Sequence, residues 1–301
     1  MESVQVLLST YNGERFLPEL LQSLYAQQDA VLRLLVRDDA SADATPDLLA
    51  SEAKEGRLRW YTGERLGPAR SFLDLLKKAP DSDWYAFCDQ DDVWLPEKLS
   101  RAVETLAGAD PSKPRLYYGR PHLVDAALRP LPDTHHSRDR TSAFAPALVF
   151  SNAVGCTMVF DRKLRDLAAR TDPPELLMHD DWLHKLCLLY GGNLFFDENV
   201  PILYRQHDEN TMGPPLTARE SLRRHWCRLL HGDCVRSRTA RSLLSCCGED
   251  MKPGDRRAAE RAAYYKKSLL RRILLAFDPA FRTGYWQRDA FFILAVLLKA
   301  Y

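Results

Sequence analysis

The sequence predicts an α/β fold: a doubly wound, mostly parallel central sheet flanked by helices, followed by a basic helical extension. Three observations carry that expectation. Short apolar runs alternate with segments of helical periodicity through the first hundred residues. Each run is followed by a polar or acidic loop, as strands of a parallel sheet are. Charge is also segregated. Residues 215–301 carry 18 Lys and Arg against 8 Asp and Glu, whereas residues 1–214 carry 24 against 33, behind a whole-chain net charge of only +1.

Val4-Gln5-Val6-Leu7-Leu8-Ser9 is the first strand, followed by the loop Thr10-Tyr11-Asn12-Gly13. Phe16, Leu17, Leu20, Leu21 and Leu24 then share one helical face. Residues 32–37 form a second strand, stopped by Asp38-Asp39-Ala40-Ser41-Ala42-Asp43. A helix over 45–54, a short strand over 58–61, a helix over 68–78 and a strand over 84–88 complete a βαβαβαβ series. Ligands of such sheets bind beyond the carboxyl ends of the strands. Loops 10–13, 38–43 and 89–92 should therefore converge on one site.

At 301 residues the chain can bury one large domain or two. We expect a domain over 1–214, with a first half over 1–110 and a second over 111–214, and a separate helical region over 215–301. The break falls near Gly213-Pro214-Pro215. Seven cysteines show no Cys-x-x-Cys pair and no zinc spacing, and no signal peptide precedes them. That points to buried thiols in a reducing, cytoplasmic setting.

Asp89-Gln90-Asp91-Asp92, directly after Trp84-Tyr85-Ala86-Phe87-Cys88, is the densest chemical signal. Carboxylates at the end of a buried strand neutralise or demand a partner. A divalent cation carrying a diphosphate is one such partner, and hard oxygen ligands suit Mg²⁺ or Mn²⁺. The alternative is an acidic turn with Asp92 capping a helix that starts at Val93. Asp43 or Thr45 is expected to cap the helix over 45–54.

Ser9-Thr10-Tyr11-Asn12-Gly13, Arg37-Asp38-Asp39-Ala40-Ser41-Ala42-Asp43 and Phe87-Cys88-Asp89-Gln90-Asp91-Asp92-Val93-Trp94 together resemble the nucleotide-sugar half of family 2 glycosyltransferases. The resemblance covers roughly residues 3–212 and is closest to bacterial rhamnosyltransferase-like members of polysaccharide biosynthesis. It implies the GT-A fold, a nucleoside-diphosphate sugar donor and a Mn²⁺ or Mg²⁺ cofactor. By the same resemblance Thr10, Tyr11 and Asn12 line the nucleotide pocket, and Asp39 accepts the pyrimidine imide N–H. Asp89 serves the ribose, Asp91 the metal, and Asp92 the sugar or its loop. The family commonly has Gly where this chain has Ala40, which we expect to hold that loop to φ < 0.

Further along, Gly155 and Cys156 lie in a small-residue segment, 150–160, that leaves room for a donor sugar; a purely structural loop fits nearly as well. Met178-His179-Asp180-Asp181-Trp182 opens a helix over 182–190 and resembles the family's acidic motif. Asp180 is then the general base and Asp181 its reserve or a substrate contact, the alternative being a double N-cap. Tyr204-Arg205-Gln206-His207 follows a strand over 200–204. The resemblance gives His207 to the metal or diphosphate and Arg205 to the leaving group.

One base and one displacement imply an inverting hexosyltransferase, with dTDP-rhamnose favoured as donor and UDP-hexoses next. The acceptor would be a glycan or a lipid-linked hydroxyl. A nucleotidyltransferase would ordinarily show a phosphate loop rich in Gly and cations after the first strand, which residues 9–13 lack. A catalytically inactive nucleotide- or glycan-binding module has no need of a base. In the basic tail, 219–230 and 258–277 read as amphipathic helices, and the apolar run 291–298 is too short to span a bilayer. These features suit peripheral contact with the inner face of an anionic membrane, or else an ordinary subdomain or dimer contact. Aromatic and basic residues do not alternate as a nucleic-acid stacking surface requires.

Overall fold

The computed structural model describes residues 2–132, 143–151, 153–207 and 235–301. They group into two compact units: Met1–His135, Ala153–Arg170 and Met178–Gly213 in one, and His136–Asn152, Thr171–Leu177 and Pro214–Tyr301 in the other.

The first unit is built on a seven-stranded sheet. Its first half contains β1 (Ser3–Thr10), α1 (Leu17–Tyr25), β2 (Val31–Asp38), α2 (Thr45–Lys54), β3 (Arg59–Thr62), α3 (Pro68–Lys78) and β4 (Trp84–Asp89). Then come β5 (Val93–Trp94), α4 (Lys98–Ala107), β6 (Arg115–Gly119), β7 (His122–Asp125), β8 (Val159–Asp161), α6 (Arg162–Ala169), α7 (His179–Leu189), β9 (Asn193–Asp197) and β10 (Ile202–Gln206), with α5 (Phe144–Val149) belonging to the second unit. The large sheet runs β3-β2-β1-β4-β8-β6-β9, and β5-β10-β7 form a small second sheet.

β1 pairs in parallel with β2 on one side and β4 on the other. Chain order reverses at this point, which opens the crevice of a doubly wound sheet beyond the strand ends. Register then decides what meets there: Thr10 lies opposite Asp38, and Ser9 opposite Asp89. Burial on both faces explains the unbroken apolar composition of β1, whose Val4, Val6, Leu7 and Leu8 are inaccessible. Gln5 is buried among them because its Nε2 donates to the Arg33 carbonyl at 3.1 Å. On α1, Leu17, Leu20, Leu21 and Leu24 sit at three- and four-residue spacing and all face the core. Burying each contributes about 2 kcal/mol.

Several local expectations change. Asp92 does not cap a helix, because Val93–Trp94 is a strand paired with β10 and the next helix starts only at Lys98. The helix expected over 182–190 begins three residues earlier, which brings Asp180 and Asp181 into its first turn. Ala40 adopts φ +63°, the left-handed conformation, and not φ < 0. Asp38 imposes it, since its carboxylate accepts both the Ser41 N–H (3.0 Å) and the Ser41 hydroxyl (2.5 Å) across the turn. Neither Asp43 nor Thr45 is the N-cap of α2, which is Ala44 without a side-chain cap; Asp43 accepts the Thr45 N–H at 3.0 Å from the residue before that N-cap.

In the second unit the helix expected over 258–277 is two helices. Between Pro253–Tyr264 and Leu269–Ala276 the chain makes a 3-10 turn, and extended Ser268 caps the second helix by accepting the Arg271 N–H at 3.2 Å. The helix expected over 219–230 lies outside the described residues.

The strained turn gives a direct test. In urea unfolding, Ala40→Gly should raise stability by roughly 0.5 kcal/mol, the relief of left-handed strain less the added freedom of the unfolded chain. Ala40→Val, β-branched at the same φ, should lower it by more than about 1 kcal/mol. Equal stability of all three proteins would contradict this backbone reading.

Candidate functional site

The loops after β1, β2 and β4 are laced together by side chains. Gln90 clamps the backbone of Tyr11, with Tyr11 N–H donating to Oε1 at 2.8 Å and Nε2 donating to the Tyr11 carbonyl at 3.0 Å. Gly13 is required beside it, because a Cβ there would lie 2.5 Å from Gln90 Oε1. Asn12, at φ +48°, ties the first loop to the second: its N–H donates to Ser41 Oγ, and its Oδ1 accepts the Ala42 N–H, both at 2.9 Å. Thr10 Oγ1 donates to buried Asp38 at 3.2 Å. Thr10, Tyr11, Asn12 and the Asp89–Asp92 loop are thus one connected rim.

Asp39 is nearly buried and already engaged. Its carboxylate is paired with Arg37 and accepts the N–H groups of Leu66 (3.0 Å) and Gly67 (2.8 Å). A carboxylate has about four acceptor positions, so one remains for an incoming N–H. Arg37, only 2% exposed, organises this side: it also donates to Asp74 (3.0 Å), Ser71 (3.2 Å) and the Glu64 carbonyl (2.7 Å).

In the acidic loop, Asp91 Oδ2 and His207 Nε2 are 2.8 Å apart. Burial, then the charges of Asp91 and Asp180, push Asp89 up to about 8. Burial and the same crowding push Asp92 well above the usual carboxylate range. Asp92 Oδ1 accepts the Arg205 N–H at 3.2 Å, and the buried Cys156 thiol lies against the same carboxylate. Arg205 is a brace and not an open cation. It is 2% exposed and donates to the carbonyls of Asp91 (2.7 Å) and Ala126 (2.6 Å) and to Glu19 (2.5 Å).

Carboxylates crowded together beside an imidazole are a donor set that suits Mn²⁺ or Mg²⁺, so these residues fit a divalent cation. Asp89, Asp92 and Cys156 also place ligand atoms within 4.8 Å of one another. Burial holds the Cys156 thiol protonated, which makes it a poor partner for a hard cation.

Gly155 and Cys156 are buried, and the visible role of their segment is to support the acidic helix terminus. Gly155 N–H donates to Asp180 Oδ2 at 3.0 Å, and a Cβ on Gly155 would lie 2.6 Å from His179 Nε2. Asp180 also accepts the Asp181 N–H at 2.6 Å. Burial, then the Asp181 carboxylate, nevertheless push Asp180 up to about 7, against these N–H groups and Lys185. Asp181 has a different position, in a buried ion pair with Lys185. His179 stacks on Phe72 with ring centroids 3.9 Å apart, and burial pulls it down to about 3, so it is neutral.

Sequence reasoning assigned no role of their own to four buried groups: Arg37, Lys98, Lys185 and His179. Lys98 is inaccessible, lies over the Trp94 ring at 3.3 Å and is pulled down to about 8 by burial. Its signal was its place on the apolar face of α4, four and eight residues before buried Ala102 and Leu106. Lys185 was signalled by Asp181 one turn earlier on a helix apolar nearly all round.

A doubly wound sheet with acidic loops beyond the β1/β4 switch point is the GT-A fold. Residues 5–166, more than half the chain, match the family described as Glycosyl transferase family 2, and the chain belongs to that family and is a glycosyltransferase. It is 26% identical over 239 residues to the dTDP-rhamnosyl transferase RfbG of Shigella flexneri, covering 72% of this chain and 77% of that one. Among solved structures it resembles Staphylococcus aureus TarS in complex with UDP-GlcNAc (TM-score 0.58, 16% identity, 99% of this chain and 90% of that one). It also resembles the Pyrobaculum calidifontis mannosyltransferase PcManGT in complex with GDP-Man and Mn²⁺ (TM-score 0.55, 18% identity, 99% and 85%). These structural likenesses show the fold.

The Asp181–Lys185 pair can be tested by stability. Lys185→Met leaves a buried carboxylate uncompensated and should cost about 3 kcal/mol in urea unfolding. Adding Asp181→Asn should restore most of it. Additive losses in the double variant would show that the pair is not coupled.

Proposed function

We propose that this chain is a metal-dependent, inverting hexosyltransferase. It moves a sugar from a nucleoside-diphosphate donor, dTDP-rhamnose ahead of UDP-hexoses, to a hydroxyl of a glycan or lipid-linked acceptor. The observation that carries the reading is Asp180, a carboxylate with pKa about 7 near enough to Asp89 to raise it. A general base works best when its pKa lies near the working pH. Resemblance to a dTDP-rhamnosyl transferase over 72% of the chain supports the donor choice.

Tyr11 and Asn12 on the first loop and Asp39 on the second form the nucleoside side, Asp39 offering its remaining acceptor position to a pyrimidine imide. Asp89 takes the ribose, and Asp91 with His207 holds the cation. Bound there, a divalent cation supplies positive charge against the departing diphosphate. Asp92, pinned to the Arg205 backbone, keeps the loop in shape. Asp180 removes the proton from the acceptor hydroxyl as its oxygen bonds to the anomeric carbon and the bond to the diphosphate breaks. The electron pair leaves with the nucleoside diphosphate, and the anomeric configuration inverts.

Asp180 must be ionised to act, so kcat/KM should be flat above its pKa and fall about tenfold per pH unit well below it. Burial sets this pKa first, then the Asp181 carboxylate, opposed by the Asp181 and Gly155 N–H groups and by Lys185, while His179 stays neutral. Asp180→Asn should lower turnover roughly 10²–10⁴-fold while the donor still binds. Release of nucleoside diphosphate from a set of dTDP- and UDP-sugars, with product configuration read by NMR, measures both claims. Pyrophosphate release would favour a nucleotidyltransferase, and a retained configuration would rule out the single displacement.

A further inference from the structure

The second unit carries an exposed apolar stripe that its own packing does not cover. The helix Leu269–Ala276, here α10, follows α8 (Val235–Cys247) and α9 (Pro253–Tyr264), and α11 (Trp286–Leu297) comes after it. α10 turns Leu275 and Ala276 inward, both inaccessible. On its other side Leu269 (58%), Leu270 (65%), Ile273 (42%), Leu274 (51%) and the following Phe277 (59%) are exposed. At 100° per residue these five fall on one continuous face about 140° wide. Soluble surfaces rarely gather so many large apolar side chains in two turns.

Charge says what the face meets. Lys266 and Lys267 on the preceding turn and Arg271 beside the stripe are exposed, and no Asp or Glu occurs between Arg261 and Phe277. Across 235–301 there are 14 Lys and Arg against 6 Asp and Glu. Trp286, 75% exposed, opens α11, which buries Phe292, Ala295 and Val296 but leaves Leu294 (41%) and the following Leu298 (57%) exposed. Arg272 Nη1 donates to the Leu297 carbonyl at 3.0 Å and fastens α10 to α11. Among the described residues no helix is long and apolar enough to cross a membrane. An apolar face with a cationic edge fits a layer whose interior is apolar and whose surface is anionic. A symmetric pairing of two copies would bring the cations of one face toward those of the other, and Asp278, which follows the stripe, is already paired with Arg261.

We propose that α10 is an interfacial anchor: Leu269, Leu270, Ile273, Leu274 and Phe277 enter the outer layer of an anionic bilayer while Lys266, Lys267 and Arg271 contact its headgroups. The proposal rests on the lipid-linked acceptor reading for its purpose, and it centres the contact on α10, where five large apolar side chains are exposed against two, Leu294 and Leu298, in the closing run 291–298.

Flotation of the full chain with vesicles tests it, comparing phosphatidylcholine alone with phosphatidylcholine and phosphatidylglycerol mixed roughly 2:1. The wild type should float at least about tenfold more with the anionic vesicles, and salt should weaken it. The triple variant Leu270→Ser, Leu274→Ser, Phe277→Ser should lose flotation, and Lys266→Gln, Lys267→Gln, Arg271→Gln should lose the anionic preference. All six side chains are exposed, so thermal melting and nucleoside diphosphate release should match wild type. Those readouts separate failure of the anchor from failure of the transferase reading. Absent flotation of the wild type, or flotation unchanged in the triple variant, overturns the proposal. So does self-association in sedimentation that the triple variant abolishes, which would make the face a contact between copies.

Discussion

Repulsion among carboxylates is the constraint around which the first unit is organised. Burial raises Asp89 and Asp92, and the charges of Asp91 and Asp180 raise Asp89 further, as those of Asp91 and Asp89 raise Asp92. The protein holds this arrangement by fixing the backbone. Arg205 grips the Asp91 carbonyl, the Arg205 N–H meets Asp92, Gln90 ties the acidic loop to Tyr11, and Gly155 donates to Asp180. Each brace acts through a backbone group, which fixes the loop while burial holds Asp89, Asp92 and Asp180 toward their neutral forms.

Much of this was legible beforehand. The first seven elements alternate as the apolar runs indicated, with strand ends within two residues, because buried parallel strands and one-sided helices have distinct periods. The meeting of loops 10–13, 38–43 and 89–92 followed from chain order alone, since parallel strands on either side of β1 must end together. What escaped was set by tertiary contacts. Arg37 and Lys98 look like solvated cations until the strands and helices around them are placed. The start of α7 at His179 depends on Met178 being extended, and the break at Ser268 on a side-chain cap that a periodic pattern hides. The left-handed Ala40 is a case where side-chain hydrogen bonds to Asp38 override a residue's own preference.

The site residues also divide by what surrounds them. Asp180 and Asp181 are adjacent in sequence and equally acidic, yet a lysine one turn along pairs with one of them and leaves the other shifted upward by burial. Arg205, which by resemblance faces the leaving group, is held inside the fold by two carbonyls and Glu19. Neither difference is visible in composition or spacing. Both come from which side of an element the folded chain leaves open.

The central claim is that the acidic loop and the loops it is tied to form a cation-dependent nucleotide site. Calorimetric titration of UDP and dTDP, with and without Mn²⁺, into the wild type and Asp91→Asn measures it most directly. Binding that requires the cation and weakens at least about tenfold in the variant is the expected result. Absence of binding for both nucleotides under every condition, in a folded wild-type protein, would contradict it.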